Sequence, residues 1–410
     1  MTQQHTEFEF PTGVVEPEYD LWADGVDIDP TGVLAEVDPA DAEWRARARK
    51  FILEEVKDDI HEYWDKADYP VHLIKKLGDY GLLRDGLDVD GLPSMSPMAA
   101  GLINLEMARG DGSVATIVGV QGGLALRSIM YCGSPEQKAK YGLPMLAGEL
   151  PGSFALTEPT HGSDSVGLET RAHRVAGGYV LNGEKKWIGN GSIGGITVIW
   201  ARDDEGNVRG FLVDQQTAGY SATTIKHKLS LRAIWQAHIR LDNVFVADAE
   251  VLEDSHSFKD TARVLFATRL GVAWSAVGHA TACYESAVLY AKQRIQFGRP
   301  LAASQIVQER LARMQSELAT IQLLAVQSAK REARGELTGP QASLAKYTAT
   351  RTARQIASNA RDLLGGNGIL TSNRVARHFA DIEAIHTYEG TETVQALLMG
   401  RNITGISAFA

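Results

Sequence analysis

The chain has 410 residues, more than one compact domain usually takes, with 44% apolar and 22% charged residues. It is therefore neither disordered nor one small fold. Two cysteines, Cys132 and Cys283, exclude a disulfide framework or four-cysteine zinc site and fit a reducing, intracellular compartment. The net charge of −10 sits in the N-terminus, where residues 1–44 carry twelve acids and no Lys or Arg. The near-neutral body offers no footprint for nucleic acid.

An acidic, base-free start is neither a secretory signal nor a transit peptide, and the expected location is cytoplasmic. Residues 1–44 read as an acidic extension, either solvated or strapped over a neighbouring surface. Apolar runs fall short of the ~20 residues of a spanning helix, so no membrane span is expected. Residues 45–150 read as an N-terminal helical domain. Phe51, Ile52, Val56, Ile60, Tyr63 and Trp64 mark one amphipathic helix face. Val71–Leu83 predicts a shorter helix after Pro70, and the small residues between Met95 and Ala147 predict closely packed, buried helices.

Residues 151–256 change texture and read as a middle β domain. Tyr179-Val180-Leu181 precedes Asn182-Gly183, a hairpin signal. Ile196–Trp200, Gly210–Val213 and Ile239–Val246 are short, β-branched or aromatic runs. With no long helical pattern between them, the sheet is expected to be antiparallel, a small barrel or sandwich. Gly189-Asn-Gly191-Ser-Ile-Gly194 is a literal G-x-G-x-x-G, but it leads into a strand, which argues against a dinucleotide fingerprint. The histidines have no metal-ligand spacing, so no metal is expected.

Residues 257–410 return to a helical period. Val264–Arg294, the Ile306–Leu324 stripe and Leu344–Leu364 predict three long helices in an antiparallel bundle. Gly335, Pro340 and Gly365-Gly366 punctuate them. Two segments carry possible chemistry. Leu156–Asp164 is a polar loop whose amides and hydroxyls could cradle a ligand or simply turn the chain. Glu389 lies between Tyr388 and Gly390. It is either a solvated or capping residue, or a carboxylate with a raised pKa suited to base chemistry.

Five segments occur in order: Ser153–Asp164 (SFALTEPTHGSD), Lys186-Trp-Ile-Gly-Asn190, Arg294-Ile-Gln-Phe-Gly-Arg-Pro-Leu301, Asp362-Leu-Leu-Gly-Gly-Asn-Gly368 and Thr387-Tyr-Glu-Gly-Thr391. Over residues 45–410 this closely resembles the acyl-CoA dehydrogenase family of flavoenzymes. The ending Gly400–Phe409 and Glu-Thr-Arg at 169–171 resemble its glutaryl-CoA dehydrogenase and short-chain acyl-CoA oxidase branch. The resemblance implies an α+β fold in three domains: N-terminal helices, a middle β-barrel or sandwich, and a C-terminal four-helix-type bundle.

It also implies FAD against Phe154, Leu156, Thr157, Ser163, Trp187, Ile188 and Gly189. Arg294, Gln305, Asp362, Leu363, Leu364, Gly365 and Gly366 match positions that hold the FAD of a neighbour in a homotetramer. Thr391 and Phe409 match flavin-contacting positions. Glu389 matches the catalytic base, and Ser163, Arg269, Tyr388, Gly390 and Ala115 match the acyl-CoA site. The implied reaction is dehydrogenation of an acyl-CoA to the trans-2-enoyl-CoA, with electrons passing to an electron-transfer flavoprotein.

Two positions depart from the pattern. Ala115 and Gly119 stand where glutaryl-CoA dehydrogenases carry the Arg and Ser that recognise the distal carboxylate. The expected substrate is thus a short acyl-CoA without that group, and oxidative decarboxylation of glutaryl-CoA is the alternative. Gly189 stands where dehydrogenases carry Thr or Ser, which resembles the oxidases that pass electrons to oxygen. A silent acyl-CoA- or FAD-binding scaffold is the non-enzymatic alternative.

Overall fold

The structure, a computed structural model, describes residues 19–408. Phe409 lies outside the described residues. Residues 19–37 form no regular element, but their apolar side chains pack onto the fold while most of their acids stay exposed. Leu21 and Leu34 are buried in the largest core cluster. Tyr19 packs edge-on against Tyr290, and Gln322 Nε2 donates to Ile28 O at 2.8 Å. This strap lies on the chain's own C-terminal helices.

The first helix starts inside the stretch set apart as the extension. Asp38 caps α1 (Pro39–Glu55), accepting from Ala40 N, with Pro39 in its first turn. The single amphipathic helix expected over Phe51–Trp64 is two: α1 ends at Glu55 and α2 (Ile60–Lys66) follows a turn. The apolar spacing survives because both pieces pack on the same core. Then come α3 (His72–Asp79), α4 (Pro97–Gly110), α5 (Gly112–Val118), a wide-turned π segment (Gly119–Leu126) and α6 (Arg127–Cys132). Helices α7 (Pro135–Gln137) and α8 (Leu143–Leu146) complete the domain.

Gly112–Cys132 is long and apolar enough to cross a membrane, contrary to the expectation from the apolar runs, yet 78% of it is buried inside the fold. It is a core helix here. Close packing explains Gly122 and Gly112: a Cβ would lie 2.1 Å from Leu83 O at the first and 2.8 Å from Asp381 Oδ2 at the second.

The middle domain has strands β1 (Gly152–Ala155), β2 (Arg171–Val175), β3 (Gly178–Gly189), β4 (Ile196–Asp203), β5 (Val208–Asp214), β6 (Tyr220–Thr224) and β7 (Gln236–Ala247). Their order is β1-β4-β2-β3-β7-β6, with β5 also on β4. The sheet is mixed, not antiparallel throughout: β1 and β2 both run parallel to β4. The other pairings are antiparallel, β2 with β3 and β4 with β5 across short loops.

The hairpin signal at Asn182-Gly183 marks no turn. Both residues lie inside β3, where the register against β7 shifts between Leu181 and Gly183. The conformational freedom is spent on a bulge. The turn is at Ala176-Gly177, and Val175 pairs with Gly178.

The C-terminal domain holds α9 (Phe258–Gln293), a small hairpin of β8 (Ile295–Gln296) and β9 (Arg299–Pro300), α10 (Gln305–Ala333), α11 (Gly339–Leu363), α12 (Arg374–Thr387) and α13 (Glu392–Thr404). Its core is continuous with that of the N-terminal helices. Helix α9 therefore packs on both α4 and α11 and joins the two helical domains.

Candidate active site

Glu389 lies in the link between α12 and α13 with a left-handed backbone, φ 55°, followed by Gly390 at φ 79°. A Cβ on Gly390 would meet Gln395 Nε2 at 2.5 Å. That amide instead donates to Glu389 O at 2.8 Å, and the buried Lys346 of α11 donates to the carbonyls of Tyr388 and Gly390. The link is thus fixed from two helices.

The Glu389 carboxylate accepts from Thr268 Oγ1 of α9 at 3.2 Å. Its pKa is raised by burial, against the lowering pull of Lys346, Arg269 and the Thr268 hydroxyl. Burial likewise lowers Lys346 to about 8 and lowers Arg269, with Glu389 opposing both shifts. Arg269 keeps a buried Nε without a partner and reaches Ser343 Oγ at 3.5 Å. A half-buried carboxylate of raised pKa, held but not neutralised by direct ion pairing, is equipped to accept a proton.

Tyr388 packs its ring on the main core. Ala115 is buried in α5, and the space around a Cβ on Gly119 is empty to 4 Å. Thr268, Arg269, Tyr388, Glu389 and Gly390 are thus brought together. Ser163 is exposed on the loop after β1.

That loop is clamped at its base. Glu158 pairs with the fully buried Lys185 at 2.8 Å and accepts from Glu169 N, Thr170 N and Thr170 Oγ1. Lys185 also donates to Leu156 O. The lysine and these bonds hold Glu158 down to about 2 against burial, and burial lowers Lys185 to about 8. Glu158, His161 and Glu169 bring ligand atoms within 4.8 Å of one another. With Lys185 neutralising Glu158 and its oxygens taken, the group is a loop anchor.

Lys186 N donates to Thr157 O at 2.8 Å and sets the loop beside β3, whose register against β7 shifts between Lys185 and Ile188. Trp187 stands at φ 66° and 55% exposed, next to the buried Ile188. Phe154, Leu156 and Ile188 turn their side chains into the core. Gly189 is pressed by the π segment: its Cβ would lie 2.7 Å from Val120 Cγ2. Thr391 caps α13, accepting from Val394 N at 3.3 Å.

Arg294, Gln305 and Asp362–Gly366 form a second group. Asn367 Nδ2 donates to Tyr290 OH at 3.0 Å, so this group clusters at the C-terminal end of α9. Arg294 donates to Tyr19 OH and the exposed Asp362 pairs with Arg310. Leu363 and Leu364 are buried, while Gln305, Gly365 and Gly366 are exposed. At 1.5 Å per residue, Arg269 and Arg294 are separated by about 37 Å along α9. One chain cannot bring the two groups to one ligand head.

Sequence reasoning missed Lys346, Thr268, Gln395 and Val120. The signal for Lys346 was present: it falls inside the apolar stripe of α11, among buried Ala342, Ala345, Ala349 and Ala353. A lysine there is not a solvated one.

Three family models cover the chain: the acyl-CoA dehydrogenase N-terminal domain over 38–149, middle domain over 153–244 and C-terminal domain over 258–404. A Bacillus subtilis acyl-CoA dehydrogenase is 34% identical over 370 residues, 88% of this chain and 97% of that protein. The crystal structure of a glutaryl-CoA dehydrogenase from Mycobacterium smegmatis superposes with TM-score 0.90 at 39% identity, covering 92% of this chain and 98% of that one. Another glutaryl-CoA dehydrogenase structure from that organism, in complex with FADH2, has TM-score 0.90 at 34% identity, covering 93% and 98%.

Proposed function

The chain belongs to the acyl-CoA dehydrogenase family, and from that premise we propose that it oxidises a short acyl-CoA lacking a terminal carboxylate to the trans-2-enoyl-CoA. It is an FAD-dependent enzyme of that family. The observation that carries the reading is Glu389: a half-buried carboxylate of raised pKa, bonded to Thr268 and flanked by Lys346 and Arg269 without a direct ion pair.

Glu389 takes the α-proton of the thioester. Thr268 holds the carboxylate, and Lys346 and Gln395 fix the main chain on either side, so the base needs little reorganisation at the moment of transfer. The main-chain N–H of Glu389 is the donor assigned to the thioester oxygen, where charge develops. Bound FAD supplies the hydride acceptor for the β-hydrogen.

The protein's own residues fit that cofactor. Trp187 presents a half-exposed indole wall at a bulge that also offers main-chain groups, beside Thr157. Arg294 has donors left for a pyrophosphate after bonding Tyr19. Because Arg294, Gln305 and Asp362–Gly366 lie at the far end of α9, we assign them to the FAD of a neighbouring subunit. Exposed Ile295, Phe297, Ile306 and Ile369 at the same end support an oligomer, a homotetramer in our reading.

Ala115 and Gly119 support a substrate without a distal carboxylate, because neither side chain can donate to one. A buried carboxylate deprived of its guanidinium loses several kcal/mol. The test is a panel of acyl-CoAs from four to twelve carbons, with glutaryl-CoA included. Butyryl- or hexanoyl-CoA should be oxidised with much higher kcat/KM than glutaryl-CoA, and without carbon dioxide release. Decarboxylation of glutaryl-CoA at a matching rate would overturn the substrate assignment.

We assign an electron-transfer flavoprotein as acceptor. Gly189, whose place for a side chain is filled by Val120, favours oxygen as the second reading. Oxygen consumption without added acceptor separates the two.

A further inference from the structure

We propose that Asp85, held by Arg127 and Asn104, forms the floor of the acyl chamber and selects acyl groups that end in a hydrogen-bond donor, a hydroxyl above all. The proposal rests on the acyl-CoA reading and narrows its substrate class.

Asp85 sits between α3 and α4 with φ 48°, a backbone that non-glycine residues rarely adopt. Its Oδ1 accepts from Asn104 Nδ2 at 3.1 Å and its Oδ2 from Arg127 Nη2 at 2.9 Å. The ion pair is buried, with side chains 11% and 6% exposed. A pair of charges buried this deeply gains little stability over apolar packing. A strained backbone and a buried charge together call for another role.

The position supplies one. A Cβ on Gly123 would lie 3.0 Å from Asp85 Oδ2 and 3.4 Å from Thr268 Cγ2. Thr268 is the residue bonded to Glu389. Glu389, Thr268, Gly123 and Asp85 therefore follow one another along a single wall. Four residues before Gly123 in the π segment, Gly119 faces empty space. Widened helical turns of this kind recur at functional sites.

The Asp85 carboxylate offers hydrogen-bond acceptors at this floor. Arg127 directs Nε to Gly123 O, Nη1 to Tyr131 OH, and Nη2 to both the carboxylate and the main-chain carbonyl of Asp85. An ionised carboxylate has about four acceptor sites, and Asn104 and Arg127 take two. The Glu332 carboxyl faces the same pair, and burial reinforced by Asp85 pushes it up to about 7. The end of the chamber thus sets the Asp85 acceptor beside a carboxyl that burial keeps partly protonated near neutral pH. It leaves Asp85 lone pairs unsatisfied under an alkyl tail and satisfies them under a hydroxyl. A site built around a polar partner discriminates strongly against the analogue that lacks it.

The experiment compares matched acyl-CoAs on the holoenzyme: butyryl- with 4-hydroxybutyryl-, pentanoyl- with 5-hydroxypentanoyl-, and hexanoyl- with 6-hydroxyhexanoyl-CoA. At one chain length the hydroxylated member should have the higher kcat/KM by about tenfold or more. Asp85→Asn, which leaves one acceptor oxygen, should bring that ratio close to one. Gly123→Ala, which puts a methyl 3.0 Å from Asp85 Oδ2 and so crowds that acceptor, should do the same. Equilibrium binding of the same pairs to the Glu389→Gln protein reads the preference without turnover. A preference for the alkyl member at every length, or one for the hydroxyl that survives both variants unchanged, would overturn the proposal. Oxidation of both members without discrimination would leave the acyl-CoA dehydrogenase reading standing and this one refuted. Binding with discrimination but no turnover in the wild type would do the reverse.

Discussion

Lys346 holds Glu389 by the main chain and not by the carboxylate. Its ammonium donates to the carbonyls of Tyr388 and Gly390, the residues on either side, while the carboxylate takes its hydrogen bond from Thr268. A left-handed backbone at a non-glycine residue persists only when its surroundings over-determine it. Lys346→Met removes that support. It should lower kcat by roughly ten- to a hundredfold, as expected when a catalytic group is misplaced by a fraction of its reach. Lys346 also lowers the pKa of Glu389, so the acid limb of the pH profile should move upward. A variant with normal kcat and an unmoved limb would show that the lysine is only a packing residue.

Glu389→Gln should retain FAD and lose about three powers of ten or more in turnover, because the amide cannot take the proton that the carboxylate accepts in our reading. In the wild type, burial raises Glu389 above its ordinary value. Base catalysis needs the ionised form, so kcat/KM should climb as pH rises through that raised value and be lost below it. Flavin absorbance together with turnover would check both, and near-normal turnover in the variant would remove Glu389 from the role.

A buried acid elsewhere makes stability depend on pH. Asp381 of α12 accepts from Trp64 Nε1 at 3.0 Å and Leu231 N at 2.6 Å. Burial, then Asp111, pushes it up to about 7, against those bonds and Arg377. Between the ordinary Asp value and about 7 the folded protein keeps a proton that the unfolded chain has released. This group therefore withdraws stability as pH rises through that window.

Buried His279, pushed down to about 3, and His378, pushed well below its ordinary value, act the opposite way. They do so only below about 6.5. From pH 6.5 to 8 Asp381 should withdraw about 1 kcal/mol, and Asp381→Asn, which has no proton to lose, should flatten that decline. Parallel melting curves at the two pH values would test it. Equal declines in the two proteins would sink the idea.

Local signals in the sequence were strong where one segment determines its own shape. The long helices α9, α10 and α11 follow from apolar spacing and glycine stops. The neighbours Tyr388 and Gly390 left Glu389 open between a solvated or capping residue and a base, and only the resemblance carried by the ordered motifs singled it out. Long-range features were not legible. The parallel pairing of β1 and β2 with β4 joins segments that only tertiary structure brings together. Asn182-Gly183 offers the same unusual backbone to a turn or a bulge, and pairing with β7 decides for the bulge. Arg127 and Asp85 are 42 residues apart, and neither is unusual among its sequence neighbours. Burial converts them into a feature of the chamber.

Gly189 and Val120 are coupled, and the pair can be tested as a unit. Gly189 ends β3 opposite Gln236, with the π segment pressed against it. A Cβ there would lie 2.7 Å from Val120 Cγ2 and 3.3 Å from its Cγ1. Val120 is itself buried, so it has little room to turn away. Gly189→Thr alone should therefore overpack the junction, at a cost of about 1–3 kcal/mol, and weaken FAD retention by shifting the bulge at Trp187. Val120→Ala alone opens a small void and should cost about 1 kcal/mol or more. Combined, the two changes exchange volume, and the double variant should be more stable than the sum of the single losses. The double variant also carries the hydroxyl that dehydrogenases of the family keep at this position, so its oxygen consumption can be compared with the wild type at equal flavin content. Thermal midpoints and flavin absorbance of the four proteins give the coupling. Strict additivity would mean that Gly189 is not held as glycine by Val120.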